Sequence, residues 1–284
     1  MIPAAFDYLR PATLDEAVAL LELHGADAKV LAGGHSLVPA MKLRLAQPKT
    51  VIDISRLTDL NYIREQDGCI AIGAMATHHD IEASALLGDA CPLLTELAPR
   101  IGDVQVRNRG TLGGSLVHAD PAADWPAAIL ALDAELEIAG AEGRRSVKAG
   151  DFFVEMMETV VKQNEILCEI RVPTTAKSVA YVKFAQKASG FAIAGVAAVV
   201  DLATETVRVG VTGVAARPYR ATAVESALRE TGLNQETIGP AAGKAAEGVE
   251  PLNDIHASAA FRAHLARVNA KRALESAFSR VQAL

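Results

Sequence analysis

Two glycine pairs with hydroxyl residues beside them are the part of this chain best suited to chemistry. The first lies within Leu31, Ala32, Gly33, Gly34, His35, Ser36, Leu37 and Val38, the second within Gly110, Thr111, Leu112, Gly113, Gly114 and Ser115. Glycine adopts positive φ at no steric cost and lets the backbone come close to a ligand. A concavity of unpaired amides then binds an anion as a nest. Two such segments, far apart in the chain and each at the edge of an apolar stretch, point to a diphosphate cradle and so to a dinucleotide. A branched side chain at Gly33 or Gly114 is expected to block that approach while leaving the fold largely intact.

Other constellations are weaker. The fingerprint G-x-G-x-x-G of doubly wound dinucleotide folds is absent. The nearest imitation of a nucleotidase phosphate loop, Gly239-Pro-Ala-Ala-Gly-Lys244, is one residue short and lacks the final hydroxyl residue. Within His118-Ala-Asp-Pro-Ala-Ala-Asp124, one imidazole and the carboxylates of Asp120 and Asp124 have the makings of a metal site. Asp124 is equally suited to capping a helix that opens at Trp125-Pro126, or to accepting hydrogen bonds from a ligand's ribose or ring. His78-His79-Asp80 reads as an ordinary helix start, because adjacent histidines on a helix diverge. His35 and Ser36 lack an orienting carboxylate, so no nucleophile is assembled. No catalytic residue is assigned; a cofactor site without acid–base machinery suits electron transfer, in which the cofactor carries the chemistry.

Composition narrows the classes further. The 284 residues suffice for about two domains, and a net charge of −6 argues against a nucleic-acid partner. The local cluster Arg100, Arg107 and Arg109 reads as solvated or subunit-contact arginines, or as support for a bound phosphate. Apolar residues are interrupted too often to span a bilayer. The opening Met1-Ile-Pro-Ala-Ala-Phe-Asp lacks the basic and apolar regions of a secretion signal, so a cytoplasmic location is expected. Cys69, Cys91 and Cys168 are too scattered for an iron–sulfur or zinc site, and read as buried thiols. No metal ligand is assigned.

These residues need elements to hold them. Thr13-Leu-Asp-Glu16 reads as a capping box for a helix ending at Gly25. Residues 29–32 and 50–54 read as strands on either side of the first glycine turn, with the apolar-basic stretch 37–45 between. Residues 69–74 read as a strand, Thr77 as a helix start, 92–102 as a helix, and 134–139 and 165–172 as strands. Pro173-Thr-Thr-Ala-Lys177 is the domain break, which separates residues 1–176 (subdomains about 1–55 and 56–176) from 177–284. Beyond it come strands at 179–185, 192–202 and 206–214, in one antiparallel sheet, then helices at 221–230, 236–248 and from about 258 to the end. The architecture is α+β in two parts.

Ala32-Gly-Gly-His-Ser36 and Thr111-Leu-Gly-Gly-Ser115 resemble the A-G-G-H-S and T-I-G-G-N loops of the FAD-binding medium subunits of molybdenum-containing hydroxylases. Phe6-Asp-Tyr-Leu-Arg-Pro11, Met41-Lys-Leu-Arg-Leu45, Ile72-Gly-Ala74, Asp120-Pro and Ile170-Arg-Val-Pro173 follow in the same order. The resemblance implies a p-cresol-methylhydroxylase-type FAD-binding domain of two subdomains, plus a smaller C-terminal sheet-and-helix domain. It implies non-covalent FAD, since neither loop places a cysteine at the ring and His35 belongs to the phosphate loop. It also implies a large molybdopterin subunit and a small subunit with 2Fe-2S clusters as partners, this chain's flavin passing electrons to an external acceptor.

Carried over by position, residues 31–38 and 111–115 would hold the pyrophosphate and ribityl, Asp124 would contact the FAD polar edge, Ile101 and Leu167 would line the site, and Asp120 counts among the cofactor-binding residues. Lys183 stands beside the flavin, where a cation favours the anionic reduced ring. Phe191 covers one ring face, or is an ordinary core aromatic. Ser115 replaces the usual asparagine, and Gly190-Phe191 an acidic-aromatic pair, so the substrate of the complex stays open. A standalone flavin oxidase or dehydrogenase of the same fold is the alternative.

Overall fold

Thr13 starts the first helix, accepting a hydrogen bond from the Glu16 amide at 3.2 Å, and Gly25 ends it at φ 50°. The reciprocal arm of the expected capping box reaches one residue further back. The Glu16 carboxylate accepts from the Ala12 amide at 2.7 Å. The structure, a computed structural model, describes residues 1–175, 178–201 and 204–281. Its first part comprises β1 (Asp7–Leu9), α1 (Leu14–His24), β2 (Ala28–Leu31), α2 (Leu37–Lys42) and β3 (Thr50–Asp53). The strands form a parallel sheet in the order β1-β3-β2. Parallel neighbours cannot be joined by a hairpin, and α1 and α2 are the crossovers. Most of the 37–45 stretch is therefore helical, and the first glycine turn runs from the end of a strand to the start of a helix.

The next part holds β4 (Ile63–Gln66), β5 (Cys69–Gly73), α3 (His78–Glu82), α4 (Ala85–Ala90), α5 (Pro92–Leu97), α6 (Val104–Arg107), α7 (Leu112–His118) and α8 (Trp125–Ala131). It then continues with β6 (Glu135–Gly140), β7 (Gly143–Lys148), α9 (Ala149–Phe152), β8 (Phe153–Glu155), β9 (Glu158–Thr159) and β10 (Ile166–Pro173). An antiparallel sheet, ordered β4-β5-β10-β6-β7, packs one face against these helices. The helix expected at 92–102 stops at Leu97 and passes into a 3-10 turn, Ala98–Arg100. Pro99 has no amide with which to continue it.

The last part is a second antiparallel sheet, β11 (Val179–Ala185), β12 (Ala192–Asp201), β13 (Thr206–Thr212) and β14 (Tyr219–Arg220), followed by α10 (Thr222–Thr231), α11 (Gln235–Ala242) and α12 (Ala259–Val281). Strand β12 is buried from Ala192 to Val200, as its unbroken apolar run requires of a strand covered on both faces. Residues Ala266, Ala270, Ala273 and Ala277 of α12 lie in the core on one side. On the other side lies α8, all seven residues of which are buried. Strand β12 ends at Asp201. Leu202, residues 176 and 177 of the expected domain break, and residues 282–284 of the terminal helix lie outside the described residues. Among the described residues no helix is long and apolar enough to cross a membrane.

Candidate functional site

Strand β2 delivers Leu31 and Ala32, and α2 begins at Leu37, so Gly33, Gly34, His35 and Ser36 make the turn between a sheet end and a helix N-terminus. Gly34 lies at φ 78°, and its nearest side-chain neighbours, Leu31 and Val38, are 3.3 Å from where a Cβ would stand. Among the described residues, none of the five consecutive amides at positions 33, 34, 35, 36 and 37 has a protein acceptor. Five open donors in a glycine turn, backed by a helix N-terminus, fit the oxygens of a diphosphate. Ala32, Leu37 and Val38 pack around this turn as its half-buried frame.

The second pair sits differently. Thr111 caps α7, so Leu112, Gly113, Gly114 and Ser115 form its first turn. Their amides are already engaged: Leu112 donates to Ala76 O at 2.9 Å, Gly113 to Ala74 O at 2.9 Å, Gly114 to Thr111 Oγ1 at 3.1 Å and Ser115 to Thr111 O at 3.0 Å. Gly110 donates to Val106 O. The expectation of two matching amide nests is corrected in one respect: the amides of Gly110 and of residues 112–115 are spent on neighbouring carbonyls and the Thr111 hydroxyl, so the run of open donors belongs to the first segment. Gly113 is glycine because a Cβ there would lie 2.6 Å from Ala74 Cβ.

The two segments touch through Gly33. A Cβ on Gly33 would stand 2.9 Å from both Arg109 C and Gly110 Cα, and nearer still to Arg109 O. A branched residue at Gly33 must displace backbone, so the expected intact fold is corrected for this position. Gly114 is more forgiving: the first obstacle to a Cβ is Thr111 Oγ1 at 2.8 Å and the next is Ala32 Cβ at 3.7 Å. Between the segments opens a cleft lined by Ala32, Gly33, Ser55, Leu57, Thr58, Asn61, Met75, Thr77, Asn108, Arg109 and Thr111. Ser55, Thr58 and Asn61 were not singled out from the sequence; their signal was a polar cluster directly after β3.

A second cluster gathers Ile101, Asp124, Lys183 and Phe191. Asp124 does not cap α8 with its side chain. Its carboxylate accepts from Tyr181 Oη on one oxygen and from Lys183 Nζ, at 2.8 Å, on the other. The capping alternative is corrected accordingly. Burial pushes the Asp124 carboxyl up, and Lys183, Tyr181 and Arg100 pull against it. Lys183 also donates to Arg100 O at 2.9 Å, and its side chain is only 5 % exposed. The cation expected beside a ring is thus ion-paired. Phe191 is 50 % exposed at the tip of the β11–β12 hairpin, so the core-aromatic alternative is set aside. The preceding Gly190 lies next to Gly102, which brings this tip to the Ile101 turn. Leu167, in β10, is buried in the core behind.

The remaining candidates resolve locally. Asp120 Oδ1 accepts from the Ala122 amide at 2.8 Å, folding back on its own turn. Among the described residues no group of three metal-ligating side chains occurs, which leaves the alternative of a metal at His118, Asp120 and Asp124 without its ligands. Thr77 and Asp80 complete a capping box at α3, where His78 is buried. His78 Nδ1 accepts from Trp125 Nε1 at 3.0 Å, and its ring lies against Gly110. Burial, with the charges of His35 and Arg107, lowers its pKa to about 4. Of the three arginines, Arg107 is tied to Glu82 at 2.7 Å and to the carbonyls of Ile101 and Gly102. Arg100 and Arg109 contribute carbonyls to the two clusters.

Comparisons with known proteins show the family. Residues 4–175 match the family described as "FAD binding domain in molybdopterin dehydrogenase", and residues 179–277 match "CO dehydrogenase flavoprotein C-terminal domain". The carbon monoxide dehydrogenase medium chain of Hydrogenophaga pseudoflava is 41 % identical over 285 residues, 99 % of each chain. The 6-hydroxypseudooxynicotine dehydrogenase complex subunit alpha of Paenarthrobacter nicotinovorans is 34 % identical, covering 99 % of this chain and 97 % of that one. Among solved structures, a carbon monoxide dehydrogenase from Hydrogenophaga pseudoflava lacking the Mo-pyranopterin moiety of its molybdenum cofactor superposes with a TM-score of 0.95 at 42 % identity, over 99 % of both chains.

Proposed function

The chain belongs to the family of FAD-binding medium subunits of molybdopterin dehydrogenases, and from that premise we propose that it is the electron-transfer subunit of a heteromeric molybdenum hydroxylase. In this reading it holds FAD non-covalently, receives electrons from a 2Fe-2S subunit served by a large molybdopterin subunit, and passes them to an external acceptor in the cytoplasm. The observation that carries the proposal is the run of five open amides at 33–37, a donor set without protein partners and suited to a diphosphate.

Bound FAD would supply a two-electron store that exchanges single electrons. The chain's own residues bind and orient it. Amides 33–37 take the diphosphate, and the hydroxyls of Ser36, Thr111 and Ser115 lie at its margin. Gly110 and Gly114 lie against the first turn at Gly33 and Ala32, while Leu112 and Gly113 tie the second segment to Ala76 and Ala74. Ile101 and Leu167 line the site, with Asp120 at the edge of the Asp124 turn. Asp124 and Lys183 would meet the cofactor as a charge-balanced pair, and the exposed ring of Phe191 would pack against it. In the domain division proposed between residues 176 and 177, Asp124 falls before the boundary and Lys183 after it. Relatives named for carbon monoxide and for a hydroxypseudooxynicotine match this chain over nearly its whole length, which supports a site that does not itself select the substrate.

The test is the route of the electrons. FAD-loaded chain should stay oxidised with the organic substrate of its complex alone. It should be reduced when the chemically reduced 2Fe-2S subunit, or substrate with both partner subunits, is added. Rapid bleaching by substrate without partners would sink the proposal and favour a standalone flavoenzyme.

A further inference from the structure

Tyr181 has no place in the roles just assigned, yet the fold makes room for it at some cost. It lies two residues before Lys183 on β11, so both side chains leave the same face of the sheet. That face carries the Asp124 turn. On β12, Gly195 stands opposite Lys183, and a Cβ on Gly195 would fall on the Tyr181 hydroxyl and lie 2.9 Å from Thr212 Cγ2. On β13, Thr212 is the partner of Gly195, and its hydroxyl reaches Pro121 O at 3.0 Å and Ala123 O at 2.7 Å. The Gly213 amide donates to Pro121 O at 2.8 Å, and the Ala192 amide to Ala122 O at 3.1 Å. Three strands of the C-terminal sheet therefore grip the four residues that end in Asp124. Tyr181 is 3 % exposed and spends its hydroxyl on that carboxylate.

The attraction within a buried ion pair offsets the desolvation of its charges only when further hydrogen bonds satisfy their remaining lone pairs and protons. Here every polar partner has one defined place. Asp124 faces Lys183 and Tyr181 from β11 and Arg100 from the turn after α5, while the ammonium of Lys183 is shared with Arg100 O.

We propose that Tyr181 is a positioning residue for the cofactor: seated in the space that Gly195 leaves, its hydroxyl fixes the Asp124 carboxylate so that Lys183 is presented as an ion-paired cation rather than a free one. The proposal rests on the FAD-subunit reading above. Nothing in it depends on the substrate or on the acceptor.

Two variants reach the same contact from opposite sides. Tyr181→Phe removes the hydroxyl, and Gly195→Ala keeps it but fills its seat. Apo chain is titrated with FAD, and the midpoint potential of the bound flavin is measured. Each variant should weaken FAD binding by up to about tenfold: the Tyr181–Asp124 hydrogen bond lies within the protein with or without FAD, so only the part of its worth that goes into orienting Asp124 reaches the affinity. Each should also shift the midpoint potential, since the Asp124 charge that offsets Lys183 is no longer held in one place. The double variant should be no worse than either single one, the sign of a shared contact. Wild-type affinity and potential in Tyr181→Phe would overturn the assignment while leaving the FAD reading standing. If that variant does not fold, an unchanged potential in Gly195→Ala overturns it equally. A wild-type chain that takes up no FAD at all would instead overturn the functional reading.

Discussion

Replacing Gly33 by alanine is the sharpest probe of how the two glycine segments work. A single methyl at Gly33 would lie 2.9 Å from two backbone atoms of Arg109 and Gly110. Ordinary carbon contacts lie at about 3.5–4.0 Å, so the backbones must separate by roughly 0.6 Å or more. Overpacking of this kind costs about 1–3 kcal/mol, and a contact against main chain on a braced segment belongs at the upper end. For a chain of this size about 3 kcal/mol lowers the melting temperature by roughly 6–12 °C. Because the clash is between protein atoms, the loss should appear in the apo chain, melted without FAD, and FAD uptake should fall with it. Gly143, at φ 110° with nothing within 4 Å of its Cβ position, is the control. Alanine there should cost about 1 kcal/mol through backbone strain and leave FAD binding unchanged. An apo Gly33→Ala chain that melts like wild type would refute the idea that the second segment rigidly braces the first.

Three further outcomes are expected. Asp124→Asn should destabilise the chain by about 3–5 kcal/mol by stranding the Lys183 ammonium, and Asp124→Asn with Lys183→Met should recover part of that loss in denaturant titrations. His78 keeps its ring neutral in the folded chain, with a pKa near 4 against the ordinary 6.5; the unfolded chain therefore binds the proton first. Stability should be full above pH 6.5 and fall by about 3 kcal/mol as the pH drops towards 4, and a His78→Asn chain should lose that slope. Acid precipitation of the loaded chain should release all flavin into the supernatant; flavin retained in the pellet would contradict non-covalent binding.

The glycine pairs were legible because positive φ, needed at Gly34, and close approach, needed at Gly33 and Gly113, restrict residue type strongly. Their difference was not legible. The carbonyls that consume the second set of donors belong to Ala74 and Ala76, and nothing in an alanine announces a hydrogen-bond partner. Asp124 before Trp125-Pro126 has the local form of a cap, and local form misled, because Tyr181 and Lys183 reach it from another sheet. Strand periodicity held a usable clue to Tyr181, since it shares a face with Lys183. The apolar run of β12 announced a central strand. The early end of α5 follows from Pro99, punctuation that a purely apolar count passes over.

Helix α8 bears on how the chain must be inherited and engineered. It is sealed on both sides, by the core of the helical layer and by strands β12 and β13, with Gly210 leaving its Cβ position 2.9 Å from Ala127 C. Cutting the chain between the two matched regions would bare an apolar helix on one fragment and the seat for it on the other. Neither half is then a transplantable module: a chimera that exchanges the C-terminal sheet for a relative's must bring a compatible α8 with it, or aggregate.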